Sequence, residues 1–264
     1  MLLLIALAAL LVMGFYTVTD SSRLAHSHLL DAADWTGYAF CHRITSHSLM
    51  VNGRQLPLCA RCTGMYLGVA LTFLVLWLAG RLRRSELPPL PILLALASFV
   101  AVMGIDGLNS YSHFFPSTPH LYEPRNWLRL ATGAGTGLAM GLVVWPALGQ
   151  ALWQQPEYRP PVANGRELGG LVLVVATAVG LALSNQPALL YVLAIVSTAG
   201  LLLVLTAINT VLWLVLRRRD GRASRWPEAV LPLVVGFMLS AVQIATISWL
   251  RFQLTGTMTG FPGL

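Results

Sequence analysis

Charge is scarce in this sequence. Only 10% of its 264 residues are Asp, Glu, Lys or Arg, where soluble domains carry about a quarter. That scarcity excludes an ordinary water-soluble domain. Lysine is absent altogether, so all 17 basic residues are arginine. The arginines stand mostly at the ends of apolar runs, and a positively charged cytoplasmic face accounts for them better than nucleic acid does; no nucleic-acid partner is expected. The alternating segments of about ten residues that build a transmembrane barrel are missing. Cysteine is limited to Cys41, Cys59 and Cys62.

What is present is apolar residues, 56% of the chain. Several runs approach or exceed the ~20 residues that cross a bilayer as a helix. The expected fold class is all-α: a polytopic helical membrane protein of the cell membrane with about seven transmembrane helices. The first run covers residues 2–18. It lacks the basic leader region and small-residue cleavage site of a signal peptide, so it reads as a retained helix. The remaining spans are expected at about 63–79, 88–106, 126–148, 168–183, 188–215 and 228–250. Residues 19–58 form a polar loop, in which Leu29, Leu30, Ala33, Trp35 and Tyr38 line one side of an interfacial helix. The chain thus divides into an N-terminal helix (1–18), a Cys/His loop (19–62), a transmembrane core (63–150) and additional helices (151–264).

Loops after the second, fourth and sixth spans hold more arginine than the opposite set, by about two to one. The expected topology is therefore N-terminus inside and C-terminus outside. It puts the Cys/His loop and the 106–126 loop together on the outer side.

Cys59 and Cys62 form a Cys-x-x-Cys pair, and Cys41 lies earlier in the same loop. Three thiolates and one imidazole are a common structural zinc set, whereas a water in the fourth position makes such a site catalytic. His42 is the candidate fourth ligand. His47, a distant histidine or water are the others, since adjacent side chains such as those of Cys41 and His42 diverge. Arg43, Arg54 and Arg61 are close enough in sequence to offset the surplus negative charge. A c-type haem is not expected, because Thr63 stands where the attachment motif needs histidine. Two other readings fit the same residues. One is thiol–disulfide chemistry passing electrons to a quinone, since an outer loop is oxidising, although membrane thiol oxidases employ two cysteine pairs. The other is three buried thiols packing as small apolar groups.

A second polar cluster comprises Asp106, Glu123, Asn126 and Arg129. Ionisable groups at a span's edge need partners or water, so Arg129 is expected to pair with Asp106 or Glu123. The cluster reads either as a structural ion pair or as a pocket for an anionic headgroup. Gly133, Gly137 and Gly141 recur every fourth residue and predict a close helix–helix contact. His113 and His120 lie in the loop between; each reads as solvated or as a metal ligand.

These residues resemble a family of bacterial and archaeal membrane proteins known as domain of unknown function 2085. The resemblance covers roughly residues 36–141. It rests on Cys41-His42, then Gly53, Pro57, Cys59, Arg61, Cys62, Gly64, Tyr66 and Gly68, then Asp106-Gly107, and then Asn126, Arg129, Thr132 and Gly133. Thr45 and His47 stand where many members have proline and arginine. The family implies a membrane fold and no particular activity. The expected function is a membrane protein with an extracytoplasmic zinc-like site beside a polar pocket that takes a lipid or other anionic headgroup. The alternatives are a subunit of a larger membrane complex stapled by zinc, and the quinone-linked oxidoreductase.

Overall fold

The structure is a computed structural model, and it describes residues 28–115 and 119–257. The first expected span, residues 2–18, lies outside them. The described residues begin with helix α1 (His28–Phe40), a single 3-10 turn (Thr45–His47) and a hairpin of β1 (Ser48–Val51) and β2 (Arg54–Cys59). Six long helices follow: α2 (Ala60–Leu78), α3 (Leu90–Ser112), α4 (Asn126–Leu152), α5 (Gly165–Leu183), α6 (Pro187–Leu216) and α7 (Trp226–Thr255). Among the described residues these six are long and apolar enough to cross a membrane. The protein is a multi-pass helical membrane protein.

Helix starts and stops follow local chemistry. Prolines occupy the first turns of α3, α6 and α7, where a missing N–H leaves no bond unmade. The Asn164 side chain caps α5 by accepting from the N–H groups of Arg166 and Glu167. Gly256 ends α7 in the left-handed conformation. α3 runs on past the expected limit at Asp106 to Ser112, because Asp106, Asn109 and Ser110 are buried against protein rather than exposed to lipid. The 19–58 loop also holds more structure than expected. Leu30, Ala33 and Tyr38 of α1 face inward, while Leu29 and Trp35 are exposed. Asn52 and Gly53 both have positive φ, 47° and 81°, the signature of the tight hairpin turn that Asn-Gly favours. The register pairs Val51 with Arg54 and Ser48 with Cys59.

α2 sits at the centre, packed chiefly against α4 and α6. Its contact with α4 is backbone to backbone. A Cβ added to Gly137 would lie 1.8 Å from the Met65 carbonyl oxygen, one on Gly133 would lie 2.2 Å from that of Arg61, and one on Gly64 would lie 2.0 Å from that of Leu130. The expected glycine stripe therefore finds its partner within the chain, on α2. Two polar ends result. At one, Arg81 pairs with Glu167 (2.6 Å), Arg83 donates to the Ser224 carbonyl (3.1 Å) and Gln154 N–H donates to the Ala223 carbonyl (2.9 Å). The other end gathers α1, the hairpin and all three cysteines.

Candidate metal centre and adjoining polar pocket

Three short elements bring the sulfurs together. Cys41 follows the last turn of α1, Cys59 ends β2, and Cys62 lies in the first turn of α2. The N–H of Cys59 donates to Cys41 Sγ at 3.1 Å, and Thr63 Oγ1 donates to the Leu58 carbonyl at 3.2 Å, which fixes the strand-to-helix corner. The three Sγ atoms all lie within 4.8 Å of one another, and none is in a disulfide. Zinc with tetrahedral Zn–S bonds of about 2.3 Å sets its sulfurs roughly 3.8 Å apart, so this donor set fits a soft divalent ion. The thiols share charge. Hydrogen bonds from Cys59 and Cys62 hold the Cys41 thiol well below its ordinary pKa, and Cys41 in turn pushes Cys59 up to about 12.

His42 does not join the sulfur group. Its Nδ1 accepts from the Ile44 N–H at 3.0 Å, and its ring meets His47 edge-on, with centroids 5.6 Å apart. The side chain diverges from its neighbour Cys41 as consecutive residues do. Burial lowers the pKa of both imidazoles, taking His47 to about 4. The arginines expected to offset the thiolates are committed elsewhere. Arg43 and Arg54 bond Asp34 at 2.9 and 2.6 Å. Arg61 pairs with Asp106.

That last pair corrects the expected partner of Arg129. Asp106 is 1% exposed; it receives Arg61 on one carboxylate oxygen and the Tyr122 hydroxyl, at 3.0 Å, on the other. Arg61 also donates to Ser110 Oγ at 3.2 Å. Arg61 starts α2 and Asp106 lies near the end of α3, so opposite charges meet where the two helices reach the same end. Arg129 donates instead to Asn126 Oδ1 at 2.8 Å. Asn126 donates to the carbonyls of Ser46 and Ser48 at 3.2 and 3.3 Å, tying α4 to the hairpin. Arg129 is 5% exposed, and its Nε has no hydrogen-bond partner. Among the described residues no carboxylate pairs with it. Glu123 stands apart: its side chain is 85% exposed, and its carboxylate lies 3.7 Å from the His113 ring Nε2. His113 and His120 stack on each other with centroids 3.7 Å apart rather than gathering around a common point with a third ligand. Of the four residues of the second cluster, the fold thus sets Asp106 against Arg61 and Asn126 against Arg129, and leaves Glu123 at the surface.

Residues that the sequence reading passed over complete this end. Asn109 accepts from Leu121 N–H and donates to the Tyr122 carbonyl, both at 2.8 Å, which holds the loop bearing Tyr122 over Asp106. Arg251, at the end of α7, donates to carbonyls in the Cys41 loop.

Fold and cluster together define a multi-pass protein of the cell membrane with a compact three-cysteine group at one end of its helix bundle. Residues 41–143 match the family described as "Predicted membrane protein (DUF2085)", and the chain belongs to that family. An uncharacterized protein of Methanothermobacter thermautotrophicus is 33% identical over 102 residues, which is 38% of this chain and 81% of that protein. No solved structure matches. The family region begins at Cys41 and so contains every cysteine, Asp106 and Arg129, but neither α1 nor α7.

Proposed function

We propose that the protein holds a zinc-like divalent ion at Cys41, Cys59 and Cys62 on its extracytoplasmic side, next to a polar pocket that takes an anionic headgroup. The observation that carries this reading is the meeting of three unlinked sulfurs, two of them buried, within 4.8 Å. Sidedness rests on the arginine excess at the opposite end, which suits the cytoplasm. Three protein ligands leave one position on a tetrahedral ion for water, and such an ion supplies a water of lowered pKa when bound. The chain's own residues then do the rest: Arg61 and Tyr122 keep Asp106 in place, and Asn126 orients Arg129 beneath the hairpin.

Elemental analysis of the purified protein tests the metal. About one equivalent of zinc per chain is expected, lost in Cys41→Ser and Cys59→Ser. A wild-type protein free of metal, or equal metal in wild type and both variants, overturns it.

The absence of a fixed disulfide among three clustered sulfurs also suits a redox role. In that reading Cys59 and Cys62 form a disulfide, and the two electrons and two protons they release reduce a quinone to its quinol. Quantitative thiol alkylation separates the two: redox cycling changes the alkylated fraction with quinone added, whereas a metal site changes it with chelator.

A further inference from the structure

Five arginines, Arg217, Arg218, Arg219, Arg222 and Arg225, fall in the loop between α6 and α7, against one carboxylate, Asp220. All five are exposed. The loop is built rather than slack. The N–H groups of Arg218 and Arg219 close the end of α6 on the carbonyls of Val215 and Leu214 at 3.0 and 2.9 Å. Arg218 takes a φ of 52° there, in the left-handed position at a helix end where glycine is usual. Gly221 N–H donates to the Ala151 carbonyl at 2.8 Å and Ala223 N–H to that of Leu152 at 3.0 Å, which clips the loop to the last turn of α4. Trp153, just past α4, meets Trp226 at the start of α7 edge-on, with centroids 5.0 Å apart.

These contacts leave a pocket of about 240 Å³ where α4, α6 and α7 meet. Leu152, Leu214 and Pro232 form its apolar wall, and Arg219, Arg222 and Glu228 its polar one. Glu228 is already engaged: its Oε2 accepts from Ser224 N–H at 2.7 Å and from Ser224 Oγ at 3.0 Å. Arg222 uses one N–H on the Arg218 carbonyl at 3.1 Å, and Arg219 has no side-chain partner among the described residues. Two guanidiniums against one hydrogen-bonded carboxylate leave the pocket with a surplus of positive charge. Arg217, Arg218 and Arg225 add to it from outside.

Depth identifies the anion. Leu216, directly before the arginines, is 81% exposed, and Trp226, directly after them, is 48% exposed. Exposed apolar side chains on spanning helices belong against acyl chains, and tryptophan favours the membrane–water interface. The loop between them therefore sits at the level of lipid headgroups, where phosphate is the abundant anion. A basic pocket between spanning helices at that level suits an anionic phospholipid, and an arginine fork matches phosphate geometry.

We infer that this pocket binds an anionic phospholipid, its phosphate held by Arg219 and Arg222 and the start of its acyl chain against Leu214 and Pro232. The site lies at the end opposite the cysteines and is independent of the metal and headgroup reading there.

The test uses the full chain, reconstituted in phosphatidylcholine nanodiscs with a trace of photoactivatable phosphatidylglycerol or photoactivatable phosphatidylcholine. Each probe carries its diazirine near the glycerol end of the acyl chain, and labelled residues are mapped by mass spectrometry. Labelling of the wall around Leu214 and Pro232 is expected to be about fivefold higher with phosphatidylglycerol, the effect of one surplus basic residue on an anionic lipid. Arg219→Gln with Arg222→Gln brings the two probes close to parity, and Arg219→Gln alone lowers the ratio should the double variant fail to fold. Arg217→Gln with Arg225→Gln removes as much charge from outside the pocket and keeps the preference. Glu228→Gln removes the competing carboxylate and raises it. Equal labelling of the wild type by the two probes overturns the inference and leaves the arginines to a soluble acidic partner. Equal losses in the two double variants overturn it as well, because the preference is then diffuse surface charge. Potassium phosphate at millimolar concentration, against potassium chloride of equal ionic strength, leaves the preference intact if lipid is the occupant. Loss of the preference in phosphate alone shows a free-anion site and overturns the inference.

Discussion

The guanidinium of Arg251, on the last helix, donates to the carbonyl oxygen of Cys41, 210 residues earlier. It also reaches the carbonyls of Tyr38 at 2.6 Å and His42 at 3.3 Å, and its Cζ lies 4.2 Å from the centre of the Tyr38 ring. Carbonyls in the last turn of a helix have no partner inside it, and a cation there also suits the helix dipole. Arg251 thus closes α1 and fixes the backbone that carries Cys41. The helix that does this lies outside the family region.

Arg251→Ala should therefore loosen Cys41 without touching a sulfur. Charge-assisted hydrogen bonds of this kind contribute about 1.5–3 kcal/mol each, so local opening around Cys41 should become at least tenfold more frequent. The measurement is the alkylation rate of Cys41 in the folded protein, resolved from Cys59 and Cys62 by peptide mapping. Arg251→Lys should fall between wild type and Ala, because one ammonium cannot reproduce the planar fork across several carbonyls. Equal Cys41 rates in all three proteins would show that α1 holds the loop unaided.

The Arg61–Asp106 pair gives a second expectation. Asp106 is buried, and Asp106→Asn strands the Arg61 charge near lipid depth. Breaking one side of such a pair should cost about 3–5 kcal/mol, whereas Arg61→Gln together with Asp106→Asn should recover part of that loss. Tyr122→Phe removes one hydrogen bond and should cost about 1 kcal/mol. Thermal unfolding in a mild detergent checks all three. A double variant as unstable as the sum of its parts would mean the two side chains are not coupled.

Much of this architecture was legible in the residues. Each expected span after the first has its helix, because runs of ~20 apolar residues have few alternatives in a bilayer. The glycine spacing on α4 gave a close helix contact, because only residues without side chains allow backbones to meet. The hairpin did not emerge from the sequence reading, which has 19–58 as a polar loop, although Asn52-Gly53 between Val51 and Arg54 carries a turn signal. Pairing was not legible. Whether Asp106 meets Arg61 or Arg129 depends on how far α3 extends and on which face of α2 turns toward it, and neither follows from spacing within one segment. The extension past Asp106 came from tertiary partners, the Leu121–Tyr122 backbone for Asn109 and Arg61 for Ser110, which hydropathy does not see. Arg251 was invisible for the same reason: its partners are backbone carbonyls far away in sequence.

His47 makes the cysteine end acid-sensitive. Burial, reinforced by the positive charges of Arg129 and Arg61 and by His42, takes its pKa from the usual 6.5 to about 4. Its other neighbour, the Phe114 ring with its centroid 5.8 Å away, offers no countercharge. Between those two values the unfolded chain binds a proton that the folded chain refuses. Stability is therefore full above pH 6.5 and is lost progressively as the pH falls toward 4. His42, shifted the same way by burial, adds to the effect. Metal-free protein should show a falling unfolding midpoint from pH 7 to pH 5, with a shallower slope in His47→Gln. Parallel slopes in the two proteins would assign the acid sensitivity to other groups.

The backbone contact between α2 and α4 yields the sharpest contrast. A Cβ at Gly137 would sit 1.8 Å from the Met65 carbonyl oxygen, an atom that cannot rotate away. Gly137→Ala must therefore separate the helices. Because α2 carries Arg61 and Cys62 about one turn before Met65, the separation should reach the sulfur cluster and the Asp106 pair together. The expected outcome is loss of several kcal/mol, or no folded protein at all. Gly104 in α3 is the control: a Cβ there meets nothing within 4 Å, so Gly104→Ala gains the helix propensity of alanine, about 1 kcal/mol, and should leave the midpoint unchanged or raise it. Equal effects at the two positions would show that helix propensity, rather than the approach of two backbones, governs how α2 and α4 hold the cysteine end in place.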